Sequence, residues 1–68
     1  MGETITIGQH LRELRGSRPQ VEVAGAIGIT TMALSQYETD KRVPRDSIKI
    51  KLADFYKISV ESLFFNKR

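Results

Sequence analysis

PQVEVAGAIGITTMALSQY, residues 19–37, reads as two short helices joined by a glycine-centred turn. Val23, Ala24 and Ile27 fall at i, i+1 and i+4, one apolar stripe of the first helix, and Leu34 and Tyr37 fall at i and i+3 of the second. Between them stands Gly28, which enters the left-handed region without steric cost and so suits the position just past a helix end. Thr30 is placed to cap the next helix by accepting a bond from an orphan N–H. Ala24 is small where the two helices must cross, and Ile29 is an apolar plug at the corner. Off the Leu34/Tyr37 stripe lie Thr31, Met32, Ala33, Ser35 and Gln36. That face is neutral, short-chained and rich in hydrogen-bonding groups, a composition that suits the edges of nucleic-acid bases.

Working outward, the chain of 68 residues is expected to form a single domain, of the size that buries only about 60% of its unfolded surface. It has little room for an active-site cavity. With no cysteine, disulfides and thiolate metal sites are excluded, and a reducing, cytoplasmic setting is expected. No apolar run approaches the ~20 residues that span a bilayer, and the N-terminus lacks the pattern of a signal peptide. No membrane association is therefore expected. Eleven Lys/Arg against eight Asp/Glu give a net charge of +3, and the distribution says more than the sum. Between Arg18 and Lys41 there is no basic residue, and then Lys41, Arg42, Arg45, Lys49 and Lys51 follow within eleven positions. A neutral face flanked by basic segments fits a surface that grips phosphates at its margins and reads bases in its middle.

Residues 1–5 read as a flexible arm and 66–68 as a flexible tail. Thr6 to Gln9 has the form of a capping box opening a helix over 7–15, with Ile7, Leu11 and Leu14 on one face. Gly16-Ser17 ends it, and Pro19 is suited to the first turn of the second helix because its missing N–H would have had no partner there. Gly25 inside that helix implies either close packing or modest intrinsic stability. Pro44 closes a polar connection, and a fourth helix is expected from 45 or 46 to 56, with Ile48, Leu52, Phe55 and Tyr56 facing the core. Ser59 caps a last short helix, about 60–64. The reading is all-α, with five helices.

Leu14-Arg15, Gln20, Ala24, Gly28, Leu34, Tyr37-Glu38, Lys41-Arg42, Pro44, Leu52-Ala53 and the run Ser59 to Leu63, taken in order and with these spacings, carry a resemblance. Residues 7–64 resemble the small helix-turn-helix domains of phage repressors and Cro proteins and of the bacterial regulators built like them. The fold this implies is the compact five-helix lambda-repressor-like domain, its helix-turn-helix formed by helices 2 and 3. The function it implies is sequence-specific, repressor-like regulation of transcription, with double-stranded DNA as partner and the helix over 31–37 in the major groove. One module of this size covers limited DNA, so a homodimer on an inverted repeat is expected.

The resemblance places Thr31, Met32 and Gln36 at base edges, with Ala33 and Ser35 beside them. Gln36 has the donor and acceptor needed to pair with adenine N6 and N7, whereas Met32 is alternatively a core residue. Gln20 matches a phosphate-binding position that braces the reading helix, Lys41 and Arg42 match the phosphate-gripping loop, and Thr30, Thr39 and Arg45 are expected to join them. Arg15 and Glu38 match a partly buried ion pair. Asp40 stands where the family usually carries glycine. His10 is expected to be a surface histidine.

Val60, Leu63, Phe64 and Phe65 form an apolar cluster that is a candidate dimer contact, and a tail folded back on its own domain is the other reading of it. The second functional reading is a protein-interaction module, such as an antitoxin or adaptor. An enzyme is not expected. The sequence has no Ser/His/Asp set and no glycine-rich phosphate loop, and a single histidine with no cysteine points to no metal or other cofactor.

Overall fold

The computed structural model describes residues 5–64. Among these lie α1 (Ile7–Arg15), α2 (Gln20–Ile27), α3 (Thr31–Glu38), α4 (Asp46–Tyr56) and α5 (Val60–Phe64), and no strand. The arm and tail expected at the ends fall outside the described residues, apart from Ile5, and so does Phe65.

The helix boundaries follow from local chemistry. Thr6 accepts the Gln9 N–H at 3.0 Å while the Gln9 side chain accepts the Thr6 N–H at 3.0 Å, so the capping box at α1 is complete. α2 ends at Gly28 in the left-handed region (φ 78°), α3 starts with Thr30 Oγ1 accepting the Ala33 N–H, and Ser59 caps α5 through the Ser62 N–H. Pro19 is displaced by one position from the expected one. It is the N-cap of α2 with extended ψ (146°), and its carbonyl accepts from Glu22 and Val23. α4 ends at Lys57 with φ 59°, a left-handed conformation held by a residue other than glycine.

The core joins all five helices. Leu11, Val23, Leu34 and Leu52 are wholly buried, with Ala24, Ala53 and Leu63 nearly so, and each large aliphatic side chain contributes about 2 kcal/mol of transfer free energy. α3 packs against α1 and α2, α4 against α2, and α5 closes the base against α1 and α4. His10 is not a free surface histidine. Half-buried, it places Nδ1 2.9 Å from the Leu63 carbonyl and so fastens α1 to α5. The space around Gly25 is open, which settles its expected role: it weakens α2 intrinsically and serves no close contact.

The tightest approach lies elsewhere, at Gly8. A Cβ there would stand 2.5 Å from the Glu38 carbonyl oxygen and 2.8 Å from that of Tyr37. α1 crosses the C-terminal end of α3 so closely that only glycine fits. The same crossing is latched by Asp40, which has φ 63° and accepts the Gly8 N–H through Oδ1 at 2.9 Å. The carboxylate thus satisfies an orphan donor in the first turn of α1, where negative charge is favoured. That bond explains how aspartate occupies a left-handed position.

Candidate nucleic-acid interface

On α3 the residues separate cleanly by angle. At about 100° per residue, Thr31, Ser35, Met32 and Gln36 occupy one arc of the helix, and Ala33, Tyr37, Leu34 and Glu38 the other. The first set is exposed or half-exposed and the second is buried or packed against the core. Met32, 71% exposed, is therefore a surface residue and not core filler. Ala33, expected at a base edge, instead packs against the core and forms a shoulder of the exposed face. Thr31, Met32, Ser35 and Gln36 remain as the side chains α3 offers outward.

α3 is held in place by a buried polar cluster at its C-terminus. Glu38, 1% exposed, accepts Arg15 Nε at 2.7 Å on Oε2 and Arg15 Nη2 at 3.0 Å on Oε1, and Gln20 Nε2 at 2.8 Å also on Oε1. The ion pair expected of Arg15 and Glu38 is present and bidentate, and Gln20 adds the first residue of α2 to it. Three helices are thereby tied at one carboxylate. The bond to Glu38 raises the Arg15 pKa above its ordinary value against the smaller opposing effect of burial. Arg15 also donates to the Arg18 carbonyl through Nη1 at 2.7 Å, and the Arg18 guanidinium lies 5.2 and 5.6 Å from the Phe55 and Tyr56 ring centroids. These contacts fix the short link between α1 and α2.

Basic groups stand beside the exposed arc. Lys41, Arg42 and Arg45 are exposed, in the connection from α3 to α4. The backbone N–H groups of Lys41 and Arg42 bond the Gln36 carbonyl at 2.9 and 3.3 Å, which turns the loop back over the end of α3. Arg42 Nη1 reaches Gln36 Oε1 at 3.3 Å, and its guanidinium sits 5.7 Å from the centroid of the Tyr37 ring. Thr30 spends its oxygen as a cap acceptor and keeps its hydroxyl proton for a further partner. Thr39 is different. Its hydroxyl donates to the Ser35 carbonyl at 2.9 Å and its N–H bonds the same carbonyl, so in this arrangement neither proton is offered outward. Gln20 keeps one amide proton and its carbonyl oxygen beyond the Glu38 bond.

A family model described as helix-turn-helix matches residues 10–63. The chain belongs to the helix-turn-helix family. Its resemblance to phage repressor and Cro domains holds across the fold. The P22 c2 repressor in complex with synthetic operator 9T, in the presence of Tl+, superimposes with a TM-score of 0.85 at 22% identity, over 90% of this chain and 96% of that one. The solution structure of the DNA-binding domain of the P22 c2 repressor gives 0.83 at 22% identity, over 90% and 83%. A search of curated proteins returned no significant match.

Within this helix-turn-helix frame the candidate dimer residues divide. Leu63 is 1% exposed and belongs to the core, with its carbonyl beside His10, so it offers no surface to a second chain. Val60 and Phe64 are half-buried, and the Lys49 ammonium lies 5.1 Å from the Phe64 ring centroid. Missed by the sequence reading were the Asp40–Gly8 latch, the Gln20–Glu38 bond, the Arg42–Gln36 contact and the exposed Val43. The first had a signal, an aspartate where the family usually has glycine. The Gln20–Glu38 bond gives the expected brace of the reading helix its partner, and the last two depend on where the loop carries its side chains, which spacing does not encode.

Proposed function

We propose that this helix-turn-helix domain is a sequence-specific, DNA-binding transcriptional regulator of the repressor-like kind, acting without catalysis. It lays the exposed arc of α3 in the major groove. The observation that carries this reading is the arc itself: Thr31, Met32, Ser35 and Gln36 stand outward and uncharged, with Lys41, Arg42 and Arg45 exposed in the adjoining loop. Base edges call for short polar and methyl-bearing groups, and phosphates at the groove margin call for cations. The operator complex of the structurally similar P22 c2 repressor supports the same use of the fold.

Thr30, Gln20 and the N-terminal N–H groups of α2 and α3 add donors for phosphate. A homodimer on two half-sites about 34 Å apart supplies the area that one domain lacks, with Val60 and Phe64 as its contact. Among the described residues no three His, Asp or Glu side chains are grouped to hold a metal, and no helix is long and apolar enough to cross a membrane. In vitro selection from a randomised duplex pool at about 150 mM salt, where non-specific contacts are weakened, tests the proposal. Enrichment of an inverted repeat is expected. Retention of bulk DNA at low salt with no sequence enriched would overturn it and favour a protein-interaction module.

A further inference from the structure

Gln36 is held by the loop that follows α3. Two backbone N–H groups, from Lys41 and Arg42, bond its carbonyl, and the Arg42 side chain returns to its amide, donating Nη1–H to Oε1 at 3.3 Å. The guanidinium is seated 5.7 Å from the centroid of the Tyr37 ring, which is itself 5% exposed and fixed in the core. A cation over an aromatic face has a preferred place, so Arg42 presents its donor to Gln36 from a defined direction. An amide side chain has two unlike arms, a carbonyl that only accepts and an NH2 that only donates. With one of the two lone pairs of the carbonyl arm held by Arg42, the arm that keeps its full capacity for an outside partner is the NH2.

Resting on the proposed reading of DNA by α3, we infer that Arg42 acts as a positioning residue that sets the base preference of Gln36, turning its NH2 arm outward so that it selects guanine. Adenine presents N7 as an acceptor and N6 as a donor in the major groove, and a glutamine distinguishes it by using both arms. Guanine presents N7 and O6, two acceptors. An outward NH2 finds two acceptors on the guanine edge, whereas on adenine it has N7 alone and faces the N6 donor beside it. Arg42 retains further N–H donors beyond the one spent on Gln36, so the group that orients the reader can also hold a phosphate, and base choice is coupled to docking on the backbone.

The test uses duplexes in which the position that loses discrimination in Gln36→Ala carries each of the four base pairs in turn, with dissociation constants measured for the wild-type chain, Arg42→Ala and Gln36→Lys. The wild-type chain is expected to prefer guanine over adenine there by on the order of tenfold. Arg42→Ala weakens all four duplexes and moves the preference toward adenine, because the carbonyl arm is released. Gln36→Lys, a donor-only side chain on the exposed face, keeps guanine. Wild-type preference for adenine or thymine, or an Arg42→Ala variant that lowers all four affinities by the same factor, would overturn the inference. No base preference at any position in the wild-type chain would overturn the DNA-reading function itself, a separate failure.

Discussion

Glu38 shows how much a single residue carries in a domain of this size. Its carboxylate, with three donors on two oxygens, is the junction of α1, α2 and α3. Removing the buried carboxylate leaves Arg15 and Gln20 without their acceptor, Arg15 being partly exposed, so Glu38→Ala is expected to cost about 2–3 kcal/mol, read by denaturant titration. A loss below about 1 kcal/mol, the range of exposed pairs, would show that the carboxylate is dispensable. Tyr56 makes a different prediction. Burial first, and then the negative charge of Glu38, raises its phenol above the ordinary 10.0, and its hydroxyl has no partner among the described residues. The folded chain therefore holds that proton more tightly than the unfolded chain. The stability this supplies is complete below the unfolded value and is lost as pH rises through the folded one. Tyr56→Phe should remove that alkaline loss and leave stability near neutral pH unchanged or higher, since it deletes an unpaired buried hydroxyl. Unfolding curves for both chains at neutral and alkaline pH check this.

At the scale of elements, two glycines make opposite predictions. Gly8→Ala drives a Cβ into the backbone carbonyls at the end of α3, where nothing flexible can yield, and is expected to destabilise by about 1–3 kcal/mol, as overpacking does. Gly25→Ala fills open space on α2 and is expected to stabilise by about 0.5–1 kcal/mol through helix propensity. Thermal melts of the two variants side by side would contradict this account if both moved in the same direction. The pair also marks where legibility in the sequence stops. Caps, turn glycines and apolar periodicity, from Thr6 and Gln9 to Gly28, Thr30 and Ser59, are local signals, and all five helices follow from them. Gly8 looks like any helical glycine until α1 meets α3, and Asp40 looks like an ordinary loop residue until its carboxylate meets Gly8. Both facts are tertiary. The candidate site divides in part along the same line: angular position on α3 sorts Thr31, Met32, Ser35 and Gln36 from Ala33, which packs against the core, whereas the bond of the Thr39 hydroxyl back to the Ser35 carbonyl depends on local geometry.

At the scale of the whole molecule, the domain is a polar junction and an aliphatic core that hold one uncharged helix face beside a basic loop. The cations of that loop should act through counterion release. Lys41→Ala and Arg45→Ala are each expected to weaken binding to all duplexes alike and to lower the slope of log K against log salt by about 0.9 for each phosphate no longer neutralised. An unchanged slope would show that the residue concerned touches no phosphate. Thr31 and Gln36 should behave in the opposite way, their replacement by alanine relaxing sequence preference while leaving the slope in place.

The claim on which all of this depends is the identity of the docking face, and an amide-resolved NMR titration of the labelled chain with duplex DNA at low salt tests it most directly, because phosphate contacts alone then suffice to hold the protein on the duplex. The account predicts shifts concentrated at the start of α2, along the exposed arc of α3 and over 39–45, with those in α5 confined to the dimer contact at Val60 and Phe64 and the outer face of α4 unmoved. Shifts on α4 and α5 with the arc of α3 unmoved, or none at saturating DNA, would contradict it.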